Sequence, residues 1–477
     1  MPLNLASPGI VVREVDLTVG RVDTASDKVG AIVGPFAKGA VDLPILVETE
    51  QDLLDNFGKP YSADKHYEYW MVASSYLAYG GPLRVVRADD DDLKNAFSGT
   101  AGSIKIKSTE HYNDLGYDGS TITGVTVAAR NPGSWANNLK VAIIDDLADQ
   151  VLTFSSLPSN IQVGSGITQT IPPNTVIAGS GSTSLLTGYF KGIVTEVDTT
   201  NKKVSVKILE SVDTSGSAAG VSTEVSYQPN GIYKFGNTAI TVHNNSGIIT
   251  GTGSPSGNAD WFDQQAIQLT NTTINWNNIA DRPGTSSFAD ARNSRFDEVH
   301  VVVIDDTGEV TGNAGTILEK HLALSKAKDG LYSLGSPSYW RKYVYNNSQN
   351  IFAGGAPAGI VTTSLGIGTA NFALSADTGW DQNAQGIRFA GIGVTTLSLT
   401  GGKNYDGGTD ENADGAFQVT LAGLAGGYQL FEDDNLNSAD FILMGSANHQ
   451  KEVCQSLANK IISVAEIRKD AVAFVSP

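Results

Sequence analysis

The pattern of apolar and polar positions divides the chain into stretches of strand or helix periodicity and stretches with neither. From Val29 the run "VGAIVGPFAKG" is continuously apolar before a Gly and Pro turn, which predicts a buried strand. "LPILVETEQDLLDNFGKP" predicts a second strand feeding a short helix, with Thr49 and Asp52 as its N-terminal cap and Gly58 and Pro60 closing it. In "ADKHYEYWMVASSYLAYGGP" the residues Tyr67, Trp70, Met71, Ser74 and Leu77 recur at helical spacing, and Gly80, Gly81 and Pro82 stop the helix before the strand "LRVVRA". Ahead of all these, "SPGIVVREVD" alternates through Ile10, Val12 and Glu14 and predicts a strand. The polar stretch "GRVDTASDK" separates that strand from the next, which makes it an arm able to pair outside its own subunit.

Between residues 98 and 262 the texture turns to Ser, Thr, Gly and Asn with short alternating runs such as "TITGVTVAAR", "NLKVAIID" and "KKVSVKILE", which predict β-elements joined by polar turns. Low charge density and plentiful Gly mark 147–262 as a solvent-facing insertion. "RFDEVHVVVIDDTG" predicts a buried strand over Val299 to Ile304, and "TILEKHLALSKAKDG" a helix with Ile317, Leu318, His321 and Leu322 on one face. At the close, "ADFILMG" is a strand, Val453, Leu457, Ile461 and Val464 mark a helix, and "DAVAFV" is a strand expected to be buried on both faces. A βαβ crossover of this kind sets its two strands parallel.

Length and composition narrow the class. A chain of 477 residues is long enough for two to four domains. With 40% apolar and 17% charged residues and 52 glycines, the composition is that of a folded, turn-rich chain with much β-structure. The net charge of −18 repels phosphate backbones and anionic lipid, which argues against nucleic acid as a partner. No apolar run reaches the roughly 18 residues a membrane span needs, and "MPLNLASPGIVVREVD" lacks the charge and apolar pattern of a signal peptide, so synthesis in the cytoplasm without membrane insertion is expected. The single cysteine, Cys454, falls in a helical pattern and reads as a buried, inert thiol.

Several stretches invite a catalytic reading and fall short. "GPFAKGAV" has Gly34 and Gly39 but places Ala-Val where a phosphate loop needs Lys and Ser or Thr. The "GIG" turns at Gly366 and Gly391 lack the third glycine of a dinucleotide loop. The six histidines, His66, His111, His243, His300, His321 and His449, include no pair spaced as metal ligands, and His300 and His321 read as hydrogen-bonded core residues. Asp89 to Asp92 ahead of a helical turn, and Asp433, Asn435 and Asn437 in a loop without the glycine and glutamate of a calcium site, read as solvated acids. No catalytic, cofactor-binding or metal-binding residue is assigned, and the expected class is a structural or assembly protein rather than an enzyme.

The ordered series "SPGIVVREVD", "VGAIVGPFAKG", "LVETEQDLLDNFGKP", "YLAYGGPLRVVRA", "NPGSWANNLKVAI", "FDEVHVVVIDDTGEVTG", "TILEKHLALSKA", "LTGGKNYDGG" and "RKDAVAFVSP" resembles the tail sheath proteins of phages with contractile tails. The resemblance implies a virion subunit that stacks with itself as six-fold rings in a helical array around the tail tube, meets baseplate and tail terminator proteins, and contracts to drive the tube through the host envelope. It implies no cofactor. It also implies that the arm, Ile10, Val11, Val12, Arg13, Glu14 and Val15, links subunits by strand exchange, and that a further domain follows "RKDAVAFVSP" in the family, so that this chain corresponds to a sheath protein without it. The expected fold is mixed α/β and β, multidomain: an arm at 1–23, a discontinuous α/β sandwich core of 24–97 and 346–477, and an inserted domain, 98–345. That domain has an α/β part (127–146 and 263–345) and the β-rich 147–262 insertion. A surface adhesin or shell protein is the alternative. A hydrolase would need Asp305, Asp306, Asp433 or Asp434 paired in a cleft.

Overall fold

In the computed structural model, which describes residues 29–475 except 171–174, 177–184, 187, 214–221, 225–233, 245–246, 362–377, 434–436 and 447–450, the run Gly30–Gly34 is a strand buried along its whole length. It lies at the centre of a five-stranded sheet ordered Ile45–Val47, Leu83–Arg87, Gly30–Gly34, Phe441–Leu443, Val472–Phe474. All pairings are parallel except that of Ile45–Val47. Parallel strands need covering on both faces. Helices Glu50–Phe57 and His66–Ala78 cover one face, packing Leu53, Phe57, Trp70, Ala73 and Leu77 on Ile32, Leu83 and Val85. Helices Leu421–Gln429 and Lys451–Arg468 cover the other, with Leu424, Tyr428, Leu457, Ile461 and Val464 on Ala31, Val33 and Ile442. The former comes close because residue 427 is glycine: a Cβ there would overlap Val33.

The cap at Thr49 forms as expected, its hydroxyl accepting from the Asp52 N–H at 3.1 Å while the Asp52 carboxylate accepts from the Thr49 N–H. The face of His66–Ala78 differs by a fraction of a turn. His66, Tyr69, Trp70, Ala73 and Leu77 are buried, and Tyr67 and Met71 stand in solvent.

A second, antiparallel sheet is ordered Thr316–Ser325, Glu298–Asp305, Leu139–Asp145, Val394–Ser398. It shares a core with the three-stranded sheet Ile351–Ala353, Val125–Ala129, Phe97–Gly99: Val127, Ile351, Val141, Val301 and Trp340 belong to one apolar cluster. Thr316–Ser325 corrects the sequence expectation of a helix. Its Leu, Glu, Lys and Ala favour helix, but the segment lies beside a strand with a free edge and satisfies its backbone there as a hairpin. Two register shifts accommodate the side-chain pattern, and at one of them Ala323 takes φ 51°. The Ala323 N–H, turned off the ladder, is taken by the Nδ1 of His300 at 2.9 Å.

Ile351–Ala353 and Val394–Ser398 pair with strands of the middle region, and among the described residues Phe441–Leu443 and Val472–Phe474 join the sheet of Gly30–Gly34. The segment 147–262 carries its own antiparallel sheet, ordered Ile249–Gly253, Ile240–His243, Gly166–Thr170, Gly188–Asp198, Lys203–Asp213, Gln150–Thr153, Gly257–Asp260, around Phe190, Val194, Val206, Phe235 and Val242. Where the two main units meet, the buried guanidinium of Arg87 donates to the carbonyls of Gly39 and Pro132 at 3.1 and 2.6 Å, beneath the Tyr405 ring.

Candidate interaction surface

The residues that most invited chemistry are occupied by structural tasks. The Asp305 carboxylate accepts from the N–H groups of Gly308, Val310 and Thr311 and closes that turn. Asp306 accepts from Thr270 and pairs with Lys140 at 2.9 Å, and these partners hold its carboxyl below the usual range against the opposing effect of burial. Asp89 pairs with Lys105 and Lys107. The glycines of the turn at Gly391 bring the N–H groups of Ile392 and Gly393 onto the carboxylate of Asp145. Gly366, Asp434, Asn435 and His449 lie outside the described residues, as does the arm Ile10 to Val15. Asp433 is on an exposed loop. Cys454 is half-buried on its helix. Among the described residues no group of three His, Cys, Asp or Glu is placed to hold a metal ion, and no helix is long and apolar enough to cross a membrane.

Two histidines are core residues as expected and His66 joins them. His300 bonds Asp281 O through Nε2 at 2.8 Å, and burial lowers its basicity. His321, on a strand rather than a helix, pairs with Glu319 at 2.9 Å. His66 accepts the Tyr61 N–H on Nδ1, stacks on Phe417 at 4.1 Å, and is held down to about 3 by burial and by Arg87. The unfolded chain therefore takes up this proton first. Folding stability contributed by neutral His66 is full above about pH 6.5 and falls with acid at up to about 1.4 kcal/mol per pH unit. In urea titrations at successive pH values, His66→Asn, which keeps an acceptor for Tyr61, should give a shallower acid limb than the unmutated chain; parallel limbs would contradict this.

With these sites spent, the open feature of the molecule is the outer edge of the five-stranded sheet. Val472–Phe474 forms the expected parallel strand but corrects the expectation of burial on both faces: only Ala473 packs inward, on the cluster of Leu457 and Ile461. Phe474, 53% exposed, and Val472 share the opposite face with Phe441 and Leu443. Helix His66–Ala78 lies over the inner strands of that face and reaches Phe441–Leu443 through Tyr76, leaving the outermost strand with Val472 and Phe474 exposed. Its own outer residues Met71, Tyr76 and Tyr79 continue the apolar shelf, and with Leu443 they line a groove of about 390 Å³. Tyr79 is 90% exposed. Phe441 links the two parts, with ring centroids 5.8 Å from Phe474 and 6.4 Å from Tyr76. Among the described residues nothing pairs with the outer edge of Val472–Phe474. A contiguous apolar shelf beside an unpaired strand edge is a surface for protein contact rather than for catalysis. Sequence reasoning missed it because it assigned Met71 to the buried face; the aromatic Tyr79 directly before Gly80 and Gly81 was the available signal.

Comparison with known proteins agrees with this character. No family model matches the chain. A stretch of 102 residues is 35% identical to the tail sheath protein of Enterobacteria phage T4. The chain is similar to phage tail sheath proteins. A second such protein, from Salmonella phage ViI, is 32% identical over 118 residues. These matches take in 21% and 24% of this chain and only 15% and 18% of the sheath proteins' own length. The resemblance drawn from the ordered motifs is thus joined by sequence likeness to two tail sheath proteins. Solved sheath tail proteins from Listeria innocua and Desulfitobacterium hafniense align with 49% and 53% of this chain and with 34% and 39% of theirs, at 10% and 8% identity and TM-scores of 0.17 and 0.16, a likeness too slight to carry an argument.

Proposed function

We propose that this chain is a structural subunit of a contractile phage tail sheath, resident in the virion tail. The observation that carries the reading is the sequence likeness to two tail sheath proteins. In this role copies stack as six-fold rings in a helical array around a tail tube, with baseplate and tail terminator proteins at the ends, and contraction drives the tube through the host envelope. The open edge and apolar shelf fit a subunit whose contacts are mostly with its own kind.

The arm, Ile10, Val11, Val12, Arg13, Glu14 and Val15, serves as the linking strand. The proposal is supported by Val29, which is tied to one of the outer strands: its N–H donates to the Asp440 carboxylate at 2.8 Å and its carbonyl accepts from Asp440 and Phe441. The discontinuous α/β sandwich organisation, 24–97 with 346–477 and with 147–262 as the outward insertion, is supported by the pairing of Gly30–Gly34 with Phe441–Leu443.

Negative-stain electron microscopy with light scattering on the concentrated chain tests the reading. Rings or tubes are expected, and removal of residues 1–23, or Phe474→Asp on the shelf, should reduce association at least tenfold while leaving the thermal midpoint within a few degrees. A chain that scatters as a monomer at every concentration, with or without the arm, would sink the arm-exchange role.

A further inference from the structure

The insertion sheet joins the rest of the molecule through a neck whose polar side is a largely buried cluster of charges from four segments. Asp146 and Asp149 come from the turn before Gln150–Thr153, Lys207 from Lys203–Asp213, Asp260 from the end of Gly257–Asp260, and Arg282 from the following loop. Lys207 Nζ lies 3.3 Å from the Asp146 carboxylate, also donates to the Asp146 carbonyl, and stands 3.5 Å from the centre of the Phe296 ring. Arg282 is 3.6 Å from both Asp146 and Asp149 and pairs more closely with Asp260. Asp149 touches each strand of the neck. Its N–H donates to Val206 O, its carbonyl accepts from the Trp261 N–H, and its Oδ2 accepts from the Ile208 N–H at 2.6 Å.

The charges in direct contact do not balance. Three carboxylates, Asp146, Asp149 and Asp260, face two cations, Lys207 and Arg282, and Asp149, Asp146 and Lys207 are all buried. Buried charge without a counter-charge is strongly unfavourable, and the least demanding remedy is to neutralise one acid. Asp149 is the one to protonate. Asp260 has the closest contact to Arg282, Asp146 lies near both cations although its Oδ1 makes no hydrogen bond, and Asp149, the more deeply buried of the two neck acids, meets Arg282 at 3.6 Å and the Ile208 amide. Burial, then Asp146, pushes the Asp149 carboxyl up to about 7. The surrounding groups do not reverse this. Glu298, on Glu298–Asp305, is itself raised by burial and adds negative field; His300 on that strand is kept neutral by burial; Asp297 is engaged by Ser286 and Ser325; and Lys191 lies on the face of Lys207 beyond Ile193.

We infer that this cluster is a proton-dependent joint, which holds the insertion sheet tightly to the central sheet while Asp149 carries a proton and loosens when Asp149 ionises. The inference is independent of the sheath reading, since it uses only the neck. Between the unfolded and folded values for a carboxyl the folded neck binds one proton more than the opened one, so closure weakens as pH rises through that window.

Hydrogen exchange by mass spectrometry on the whole chain, from pH 5 to 9, tests it on peptides covering 203–213 and 257–262. Opening that releases one proton adds up to tenfold per pH unit to the ordinary rise in exchange rate. Peptides over Val125–Ala129 should show the ordinary rise alone. In Asp149→Asn, which retains an acceptor for Ile208, the extra slope should vanish; in Lys207→Met, which deepens the imbalance, the neck peptides should already exchange faster at pH 6. If the unmutated chain shows no excess slope in the neck over 125–129, the joint is refuted whether or not the variants fold. An excess slope that survives in Asp149→Asn would refute the assignment to Asp149.

Discussion

Replacing Lys326 with methionine should lower the unfolding free energy by about 3–5 kcal/mol, the loss expected when one partner of a buried ion pair is removed. The Lys326 ammonium and the Asp145 carboxylate are 2.8 Å apart and both side chains are wholly buried. Lys326 also donates to Phe296 O and Ala390 O at 2.9 and 3.2 Å and faces the Trp380 ring, and Asp145 accepts from Ile392 and Gly393. Methionine fills much the same volume, so the deficit would come chiefly from a buried carboxylate left with amide donors alone. Adding Asp145→Asn to Lys326→Met should therefore recover more than half of the loss. Urea denaturation of the four chains closes the cycle. A double variant as unstable as Lys326→Met would show that packing, not uncompensated charge, is at stake.

Arg87→Met should cost about 3 kcal/mol by the same measurement, because the carbonyls of Gly39 and Pro132 would each lose a charge-assisted donor in a place water does not reach, at roughly 1–3 kcal/mol apiece. Arg87→Lys should restore little, since one ammonium on a flexible stem does not reproduce the planar donor fork. The change has a second signature. Arg87 helps to hold His66 neutral, so Arg87→Met should raise the basicity of His66 and narrow the acid window over which stability is lost. A loss under about 0.5 kcal/mol would place Arg87 among ordinary surface substitutions and remove it as the pin between the units.

The legible parts of the fold were those decided within a few residues. Thr49, Asp52 and Gly58 spelled a helix with both ends because caps act on the adjacent backbone. Leu457, Ile461 and Val464 spelled the buried face of Lys451–Arg468. The segment 316–325 was misread because Ile317, Leu318, His321 and Leu322 fit one turn-and-a-bit of helix equally well, while the deciding contact, the unpaired edge of Glu298–Asp305, lies outside the segment. His300 was read as a bonded core residue without its partner, the amide that a register shift frees at Ala323. For the candidate site, the sequence pointed to an exchanged strand and to an absence of catalytic pairs, but not to the shelf, which exists only because helix His66–Ala78 ends its cover one strand early.

By itself the sequence determined which segments are strands and helices where caps and periodicity agree, an acidic chain, and a likeness to sheath proteins carried by ordered motifs. These follow from local backbone preference and composition, which need no distant partner. Only the tertiary structure decided that Thr316–Ser325 is a strand, that Val472–Phe474 presents an open apolar face, and that Asp146, Asp149, Lys207, Asp260 and Arg282 share one neck. The reason is that burial and charge balance are sums over neighbours brought together from as far as 411 positions apart, between Val29 and Asp440, and no local pattern records that sum.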